Sequence, residues 1–260
     1  MLRFSIACDK INHMSKKEFL SFCFMTIFAG AAIGFGATGS LLANSLLPDM
    51  IGRLTGACLF SMGLVAVVVF EMKLFTGMMA KITDLGVRNL WQLPLCFLGN
   101  ALGIGLVALL VRYSFMGEAI AMQGAEVIAG KLNAEYSLAK NFCSAVLCGM
   151  LITFSVRSAG SASKTGLSAT FGVVIPVVVF AFCGFDHSVA NMMYFYFLGE
   201  CSGRVIVYIL VTVAGNIIGG ALLPLVVLFK EHTKTGETKK TNESETLRET
   251  VKEQEENETV

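Results

Sequence analysis

Long apolar runs separated by short polar segments dominate the chain. A helix that crosses the hydrocarbon core of a bilayer needs about 20 mostly apolar residues, because each residue advances the helix by about 1.5 Å. Four uninterrupted runs are long enough, and the first is too long to be the core of a signal peptide. These predicted spans are Phe22–Leu47, Leu90–Tyr113, Leu138–Val156 and Val205–Phe229.

Two further apolar runs are interrupted by polar residues near their middle. The first extends from Leu54 to Gly86 and is broken by the sequence EMK. The second extends from Leu167 to Leu198 and is broken by the sequence GFDH. Each pattern predicts a membrane helix that stops within the membrane and starts again.

The two interrupted runs lie at corresponding places in two halves of the chain. FTGMM (Phe75–Met79) aligns with VANMM (Val189–Met193) at an offset of 114 residues, and GNALG (Gly99–Gly103) aligns with GNIIG (Gly215–Gly219) at an offset of 116 residues. Three spans in each half are an odd number of crossings, so the second half enters the membrane from the opposite side. The sequence therefore predicts an all-α integral membrane protein with six transmembrane helices in an inverted three-plus-three repeat, two of them interrupted.

Positive charge predicts how these spans are oriented, because cytoplasmic loops carry an excess of Lys and Arg. With the N-terminus in the cytoplasm, the inner ends of the spans hold more of these residues than the outer ends. We therefore expect both termini to be cytoplasmic, in a cell inner membrane or plasma membrane. The inner set is Arg3, Lys10, Lys16, Lys17, Lys81, Arg88, Arg157 and Lys164, and the outer set is Arg53, Arg112, Lys131, Lys140 and Arg204.

The spans divide the chain into three predicted parts. Residues 1–18 form a cytoplasmic N-terminal segment, residues 19–229 form the transmembrane domain, and residues 230–260 form a charged cytoplasmic tail. The tail mixes both signs of charge and holds few apolar residues. This composition favours a solvated and largely disordered extension.

Composition supports a membrane protein and excludes some partners. Apolar residues make up 55% of the chain and charged residues 15%, whereas soluble domains carry about 25% charged residues. The formal net charge is only +1, and no basic stripe exists to neutralise phosphates, so we expect no nucleic-acid partner. Most of the eight cysteines lie inside apolar runs, so we interpret them as packing residues rather than disulfides.

The two interruptions indicate a path inside the protein. Non-helical backbone within a membrane survives only where protein buries it or where it lines a wet cavity. The free amides at the start of each resumed helix, with the positive end of its dipole, favour an anion there. His187 is the strongest candidate for a role in this path, because it is ionisable, lies within the membrane and belongs to the residue type that titrates near neutral pH. We interpret Asp186 as a residue that stabilises the break.

Four short motifs resemble one known family. LFTG (Leu74–Gly77), LGN in the third span, LC in the fourth and above all GFDHSVANM (Gly184–Met192) are similar to the formate/nitrite transporter family, which includes formate, nitrite and hydrosulfide channels. The resemblance covers about Lys16 to Phe229. It implies an aquaporin-like fold and a homopentamer with one path for small monovalent anions through each subunit. It also implies that both termini are cytoplasmic.

The resemblance further implies roles for individual residues. It places a histidine and a threonine from the two interruptions at the centre of the pore, apolar side chains in a constriction, and a lysine at each vestibule. A dry constriction rejects ions, because an isolated small anion loses roughly tens of kcal/mol of solvation there, while vestibule lysines raise the local anion concentration. The implied pore residues are His187, Thr76, Leu74, Phe75, Phe60, Leu64 and Phe180, and the implied vestibule residues are Lys140 and Lys17 or its neighbour Lys16.

Two positions depart from the family pattern. The glutamate that usually precedes the histidine is Asp186 here, which keeps the charge on a shorter side chain. The asparagine that commonly follows LC is Gly149 here, which predicts one donor fewer and more room beside the pore. The second change favours hydrosulfide slightly, and formate and nitrite remain candidate substrates.

Other functions stay open at this point. A proton-coupled secondary transporter of the same weak-acid anions fits an inverted repeat equally well. A water or glycerol channel is disfavoured, because the chain contains no Asn-Pro-Ala motif. A membrane enzyme is disfavoured, because no phosphate-binding loop or nucleophile elbow occurs and the three histidines are too far apart in the chain to predict a metal site. We expect no cofactor.

Overall fold

The described part of the chain is built from helices. The computed structural model describes residues 14–86, 89–133, 137–165 and 169–258, without the side chains of 161–165, 169–170 and 231–258. Within these residues every regular element is helical, which confirms the predicted all-α class. In chain order the helices are α1 (Lys16–Leu46), α2 (Asp49–Val69), α3 (Phe75–Met79), α4 (Ile82–Leu85), α5 (Gln92–Arg112), α6 (Met116–Leu132), α7 (Leu138–Thr165), α8 (Ala169–Cys183), α9 (Ser188–Leu198) and α10 (Gly203–Glu258).

Six crossings of a membrane can be traced through the described residues. Five helices are each long and apolar enough to cross, and α8 with α9 makes a sixth crossing if the bent pair is counted as one. That pair bends by 52° at its break. The other interruption follows α2, which is continued only by the short helices α3 and α4. The predicted six spans, two of them interrupted, are therefore confirmed.

The first span begins earlier than its apolar run. The Oγ of Ser15 accepts a hydrogen bond from the backbone N of Glu18 at 3.2 Å, and the Glu18 carboxylate accepts one from the backbone N of Ser15 at 2.7 Å. This capping box supplies partners for amides that a helix start otherwise leaves free, so α1 begins at Lys16. Lys17 lies exposed in the first turn, and its role at an inner vestibule stays a prediction. Residues 1–13 of the predicted N-terminal segment lie outside the described residues.

Helix α6 was not predicted from the sequence. It has 17 residues between the third and fourth spans and carries Glu118, Glu126 and Lys131, so it does not resemble a span. A helical signal was nevertheless present, because its buried residues recur every three or four positions. These residues are Gly117, Ile120, Gly124 and Ile128. The helix packs against α1 and α9.

Equivalent glycines bring the first and last helices of each half into close contact. A Cβ added to Gly30 of α1 would lie 2.1 Å from the carbonyl oxygen of Asn100 in α5. A Cβ added to Gly149 of α7 would lie 2.6 Å from the carbonyl oxygen of Asn216 in α10. The prediction that Gly149 leaves room beside the pore is therefore wrong, because this position lies at a helix crossing where an asparagine side chain has no space.

The repeat is confirmed, with a small change in its register. Leu74 precedes α3 as its N-cap and His187 precedes α9 as its N-cap, an offset of 113 residues. The match of FTGMM with VANMM at 114 is thus one residue out, because it aligned identical methionines rather than the points at which the two helices begin. The offset of 116 is correct, since Asn100 and Asn216 make the same contacts in the two halves.

Large apolar side chains cover much of the outer surface. Phe28 is 58% exposed, Leu110 70% and Ile206 58%. A soluble monomer rarely exposes apolar side chains on this scale. In a membrane protein such a surface is solvated by lipid or covered by another subunit.

The cysteines that the structure describes are free thiols. They are Cys23, Cys58, Cys96, Cys143, Cys148, Cys183 and Cys201, and Cys8 lies outside the described residues. Cys96 and Cys148 are buried among apolar side chains. This is the packing role that we expected for cysteines inside apolar runs.

The chain divides into two compact units. Residues up to Leu223 form the first and those from Pro224 onward form the second. The backbone of the second unit is helical as far as Glu258, and Glu and Lys, which are frequent there, are good helix formers. The limits of the three predicted parts and the disorder of the tail in solution remain predictions.

Candidate functional site at the two helix breaks

A buried asparagine of α5 holds the first break. Its Oδ1 accepts from the backbone N of Phe75 at 2.7 Å, and its Nδ2 donates to the carbonyls of Thr26 at 2.7 Å and Lys73 at 2.9 Å. This residue, Asn100, therefore gives partners to the backbone groups that the interruption frees. The chain turns at Glu71, whose φ of 52° lies in the left-handed region and costs a non-glycine residue about 1 kcal/mol.

The second break repeats this arrangement with Asn216 of α10. Its Oδ1 accepts from the backbone N of Ser188 at 2.8 Å, and its Nδ2 donates to the carbonyls of Ala145 at 2.8 Å and Asp186 at 2.9 Å. The turn is made by Gly184, whose φ of 73° suits a residue without a Cβ. The short Gly-Asn matches used only to find the repeat thus contain the residues that stabilise both breaks.

His187 and Thr76 join the two breaks at one point. The Nε2 of His187 lies 3.1 Å from the Oγ1 of Thr76, and both residues are only 1% exposed. The Nδ1 of His187 accepts from the backbone N of Ala190 at 3.0 Å and so caps α9. Because Nδ1 is an acceptor, the neutral ring carries its proton on Nε2 and donates it toward Thr76.

Two phenylalanines cover the histidine. The ring of Phe180 stacks on His187 at a centroid distance of 5.8 Å, and Phe60 meets Phe180 edge to face at 5.5 Å. The structure therefore brings two of the three predicted constriction residues together beside His187. The third, Leu64, is buried in the main apolar core, as are Leu74 and Phe75 next to Thr76.

A cavity of about 260 Å³ leads from the surface to this group. Its lining includes exposed Arg53, Lys131, Phe60, Phe180 and buried His187. The cavity thus combines two cationic side chains with the histidine and its apolar neighbours.

Lys140 is not among the residues that line this cavity. It lies exposed near the start of α7, where its backbone N donates to the Oγ of Ser137 at 3.3 Å. Lys131, at the end of helix α6, lines the cavity. The vestibule role of Lys140 stays a prediction.

Asp186 forms a buried polar cluster beside the histidine. Its Oδ1 accepts from Lys131 Nζ at 2.5 Å, from Asn191 Nδ2 at 3.1 Å and from the hydroxyl of Tyr208. The carboxylate is 0% exposed, and a buried charge is tolerated only where it is paired and hydrogen-bonded. Its backbone N donates to Ser144 Oγ at 3.0 Å, so both the side chain and the backbone of Asp186 hold the break in place.

Arg53 reaches from α2 to the end of α8. Its Nη2 donates to the carbonyl of Phe182 at 3.1 Å, and its guanidinium lies 5.7 Å from the centre of the Phe182 ring. The sequence predicts for Arg53 only a charge at the outer end of a span. The contact links the first half of the protein to the backbone next to the second break.

The site offers donors in an apolar setting. One N–H of His187 and one hydroxyl of Thr76 meet where α3 and α9 begin, and helix starts carry partial positive charge. Among the described side chains, no group of three His, Cys, Asp or Glu residues is placed to hold a metal ion. Such a site is suited to hydrogen-bond a small anion.

Comparisons with known proteins point to one family. Residues 4–230 match the family model described as Formate/nitrite transporter. A probable formate transporter of Methanothermobacter thermautotrophicus is 30% identical over 252 residues, which cover 83% of this chain and 90% of the relative. The nitrite transporter NirC of Salmonella typhimurium is 27% identical over 196 residues, which cover 72% of this chain and 71% of that protein.

A solved structure shares the fold. It is a pentameric formate channel with formate bound, similar to this chain with a TM-score of 0.70 and 20% identity over 84% of this chain and 99% of the other. At this identity the likeness shows the fold alone. The match to the family model extends over most of the chain, and it includes the six spans and both breaks. The chain therefore belongs to the formate/nitrite transporter family.

Proposed function

We propose that this chain is a channel that passes small monovalent anions across a cell membrane through a pore in each subunit of a homopentamer. The contact between His187 and Thr76 carries the proposal. It joins the two halves of the protein at the buried end of a cavity that two cationic side chains line. Both termini are cytoplasmic in this proposal, as the distribution of Lys and Arg favours.

The apolar walls of the site explain why donors are needed there. An isolated anion between Phe60 and Phe180 would lose roughly tens of kcal/mol of solvation. The N–H of His187 and the hydroxyl of Thr76 replace part of the lost water. An anion can take the place of one partner in the hydrogen bond between His187 and Thr76. It then gains a donor at little cost in free energy, because both side chains are already held in place.

The geometry favours His187 as a neutral hydrogen-bond donor. A proton donor would have to be an imidazolium, which carries a second proton on Nδ1. That nitrogen already accepts the backbone N–H of Ala190 at 3.0 Å. Protonation would therefore remove the cap of α9, whereas donation from neutral Nε2 leaves the helix start unchanged.

The alternative is a proton-coupled secondary transporter of the same anions. It requires the ring of His187 to gain and lose a proton in each cycle, and hence the Ala190 contact to break and re-form. The two functions differ in the protons that accompany each anion. Entrapped pH indicator in proteoliposomes measures this number: a fixed ratio of protons to anions at all imposed pH gradients supports the transporter, and a ratio that follows the substrate's own ionisation supports the channel.

Formate and nitrite are the substrates that we propose first. Both are named in the description of the family. The preference for hydrosulfide rested on extra room at Gly149, and the contact of that position with Asn216 removes this reason. Hydrosulfide remains the third substrate to be tested.

The cations beside the cavity are proposed to concentrate anions at the outer vestibule. Arg53 and Lys131 line the cavity that leads to His187, and Lys17 is proposed for the inner vestibule. A cleft lined by one sign of charge raises the local concentration of the opposite ion. Because Asp186 neutralises part of the charge of Lys131, Arg53 contributes more to the field.

The proposal is tested by anion uptake into proteoliposomes. Stopped-flow measurements would compare formate, nitrite and hydrosulfide in vesicles with the native pentamer and in vesicles without protein. We expect at least one anion to enter well above the leak. If a folded pentamer passes none of the three, the proposed function is wrong.

A further inference from the structure

Tyr208 has a buried hydroxyl beside Asp186. The residue lies in the first turns of α10 and is only 3% exposed. Its ring packs edge to face on Phe195 at 5.7 Å, within a small apolar cluster that includes Ile128 and Val205. This cluster holds the ring in place without help from the hydroxyl.

The hydroxyl is instead directed into the polar cluster around Asp186. It donates to Asp186 Oδ1 and accepts from Asn191 Nδ2 at 2.9 Å. Asn191 also donates to the same carboxylate oxygen at 3.1 Å, and Lys131 donates to it at 2.5 Å. Three donors from three different helices, α6, α9 and α10, thus converge on one oxygen.

This convergence matters because of where Asp186 lies. Asp186 is the residue directly before His187, and Asn191 and Lys131 both line the cavity that leads to the histidine. A carboxylate at such a place repels an approaching anion unless its charge is compensated. Each donor on the carboxylate reduces the negative potential that the anion meets.

We propose that Tyr208 is a positioning residue for the pore: its hydroxyl holds the Asp186 carboxylate against Lys131 and Asn191 and so shields its charge from the permeating anion. The inference rests on the proposed function and adds a residue to it. Tyr208 itself does not line the cavity that leads to His187. It acts on the anion only through Asp186.

The position of Lys131 favours this role over simple packing. The centre of the Tyr208 ring lies 5.9 Å from Lys131 Nζ, so the cation and the hydroxyl approach the Asp186 carboxylate side by side. A phenylalanine at this position would keep the ring contacts and remove only the donor.

The test compares Tyr208→Phe with the native channel in proteoliposomes, using whichever of formate, nitrite and hydrosulfide the native channel passes fastest. We expect the half-saturating anion concentration to rise about threefold to tenfold, because only part of the free energy of the lost hydrogen bond to Asp186 reaches the anion. The same change at Tyr196, which is 45% exposed and does not line the cavity that leads to His187, is the matched control. Size-exclusion chromatography of each variant reports on assembly.

A double-mutant cycle separates the proposed role from packing. In an Asp186→Asn background the carboxylate charge is absent, so Tyr208→Phe should no longer change the half-saturating concentration. If Asp186→Asn fails to assemble, Asp186→Ser takes its place in the cycle. An equal effect of Tyr208→Phe with and without the charge, or no effect in the native background, overturns the inference. Either result leaves the proposed function intact, because the native channel conducts in the same experiment; that function fails only if the native pentamer conducts no anion.

Discussion

The tautomer of His187 is fixed by a single backbone contact. Its Nδ1 accepts the N–H of Ala190, so the only ring proton of the neutral form is on Nε2, facing Thr76. The direction of the His187 N–H is therefore fixed without a water or an ion. The Thr76 hydroxyl is not fixed in this way, since it can rotate while it accepts from His187 and can donate to an anion.

Removal of the Thr76 hydroxyl tests this pairing. In Thr76→Val the shape of the side chain is kept and one polar partner is lost. We expect anion uptake to fall about tenfold, the effect of about one hydrogen bond, and Thr76→Ser to restore most of it. Stopped-flow uptake with Thr38→Val as the control measures the change, because the Thr38 hydroxyl bonds only within its own helix. Unchanged uptake by Thr76→Val would contradict the pairing.

At the scale of helices, two asparagines make the breaks possible. Asn100 and Asn216 each hydrogen-bond two backbone groups at a break and one carbonyl of the first helix of the same half. Each arises from the last helix of its own half, and a glycine of that half's first helix lies against its backbone. The breaks are thus built from the same helix pairs that hold each repeat together.

Gly149→Asn tests whether that glycine serves packing or the pore. The new side chain would meet the backbone of Asn216, so we expect α7 and α10 to separate and the protein to lose about 1–3 kcal/mol of stability. Gly130→Asn is the matched control, since nothing lies within 4 Å of a Cβ added there. Thermal unfolding in detergent measures both. A Gly149→Asn protein of native stability with altered anion selectivity would contradict the packing role.

The spans, the two breaks and the place of His187 at a break could be predicted from the sequence. The contacts between helices that are distant in the chain could not. GFDHSVANM marks a break by its polar residues within an apolar run. Nothing in the spacing of Lys131 and Lys140 tells which lysine reaches Asp186, because that depends on the direction of α6. The role of Asn100 and Asn216 at the breaks could not be predicted either. The sequence does not distinguish a buried asparagine that bonds backbone groups from any other asparagine.

At the scale of the whole molecule, two cationic side chains line one cavity while large apolar side chains face outward. Arg53 is exposed at that cavity, and Lys131 is only 14% exposed and is paired with Asp186. Apolar side chains such as Leu110 and Ile206 face outward. The cavity is therefore positively charged, and the outer surface is suited to contact lipid or a neighbouring subunit.

Arg53→Gln tests this distribution of charge. We expect anion uptake at low salt to fall about threefold to tenfold, because the cleft loses its more exposed cation, and the deficit to shrink as salt is raised. Lys140→Gln provides the comparison, and its effect should be smaller. Uptake rates of both variants over a range of ionic strength measure this. A larger loss of uptake in Lys140→Gln would show that Lys140, rather than Arg53, attracts anions to the outer vestibule.

The central claim is that anions pass at His187, and one substitution tests it most directly. Asparagine can cap α9 as histidine does, but its shorter side chain withdraws the donor from Thr76. The measurement is anion uptake by the native protein and by His187→Asn, compared at equal amounts of folded protein. The account predicts a loss of about tenfold or more, since a buried donor is removed from the route of the ion. Equal uptake by the two proteins would contradict it.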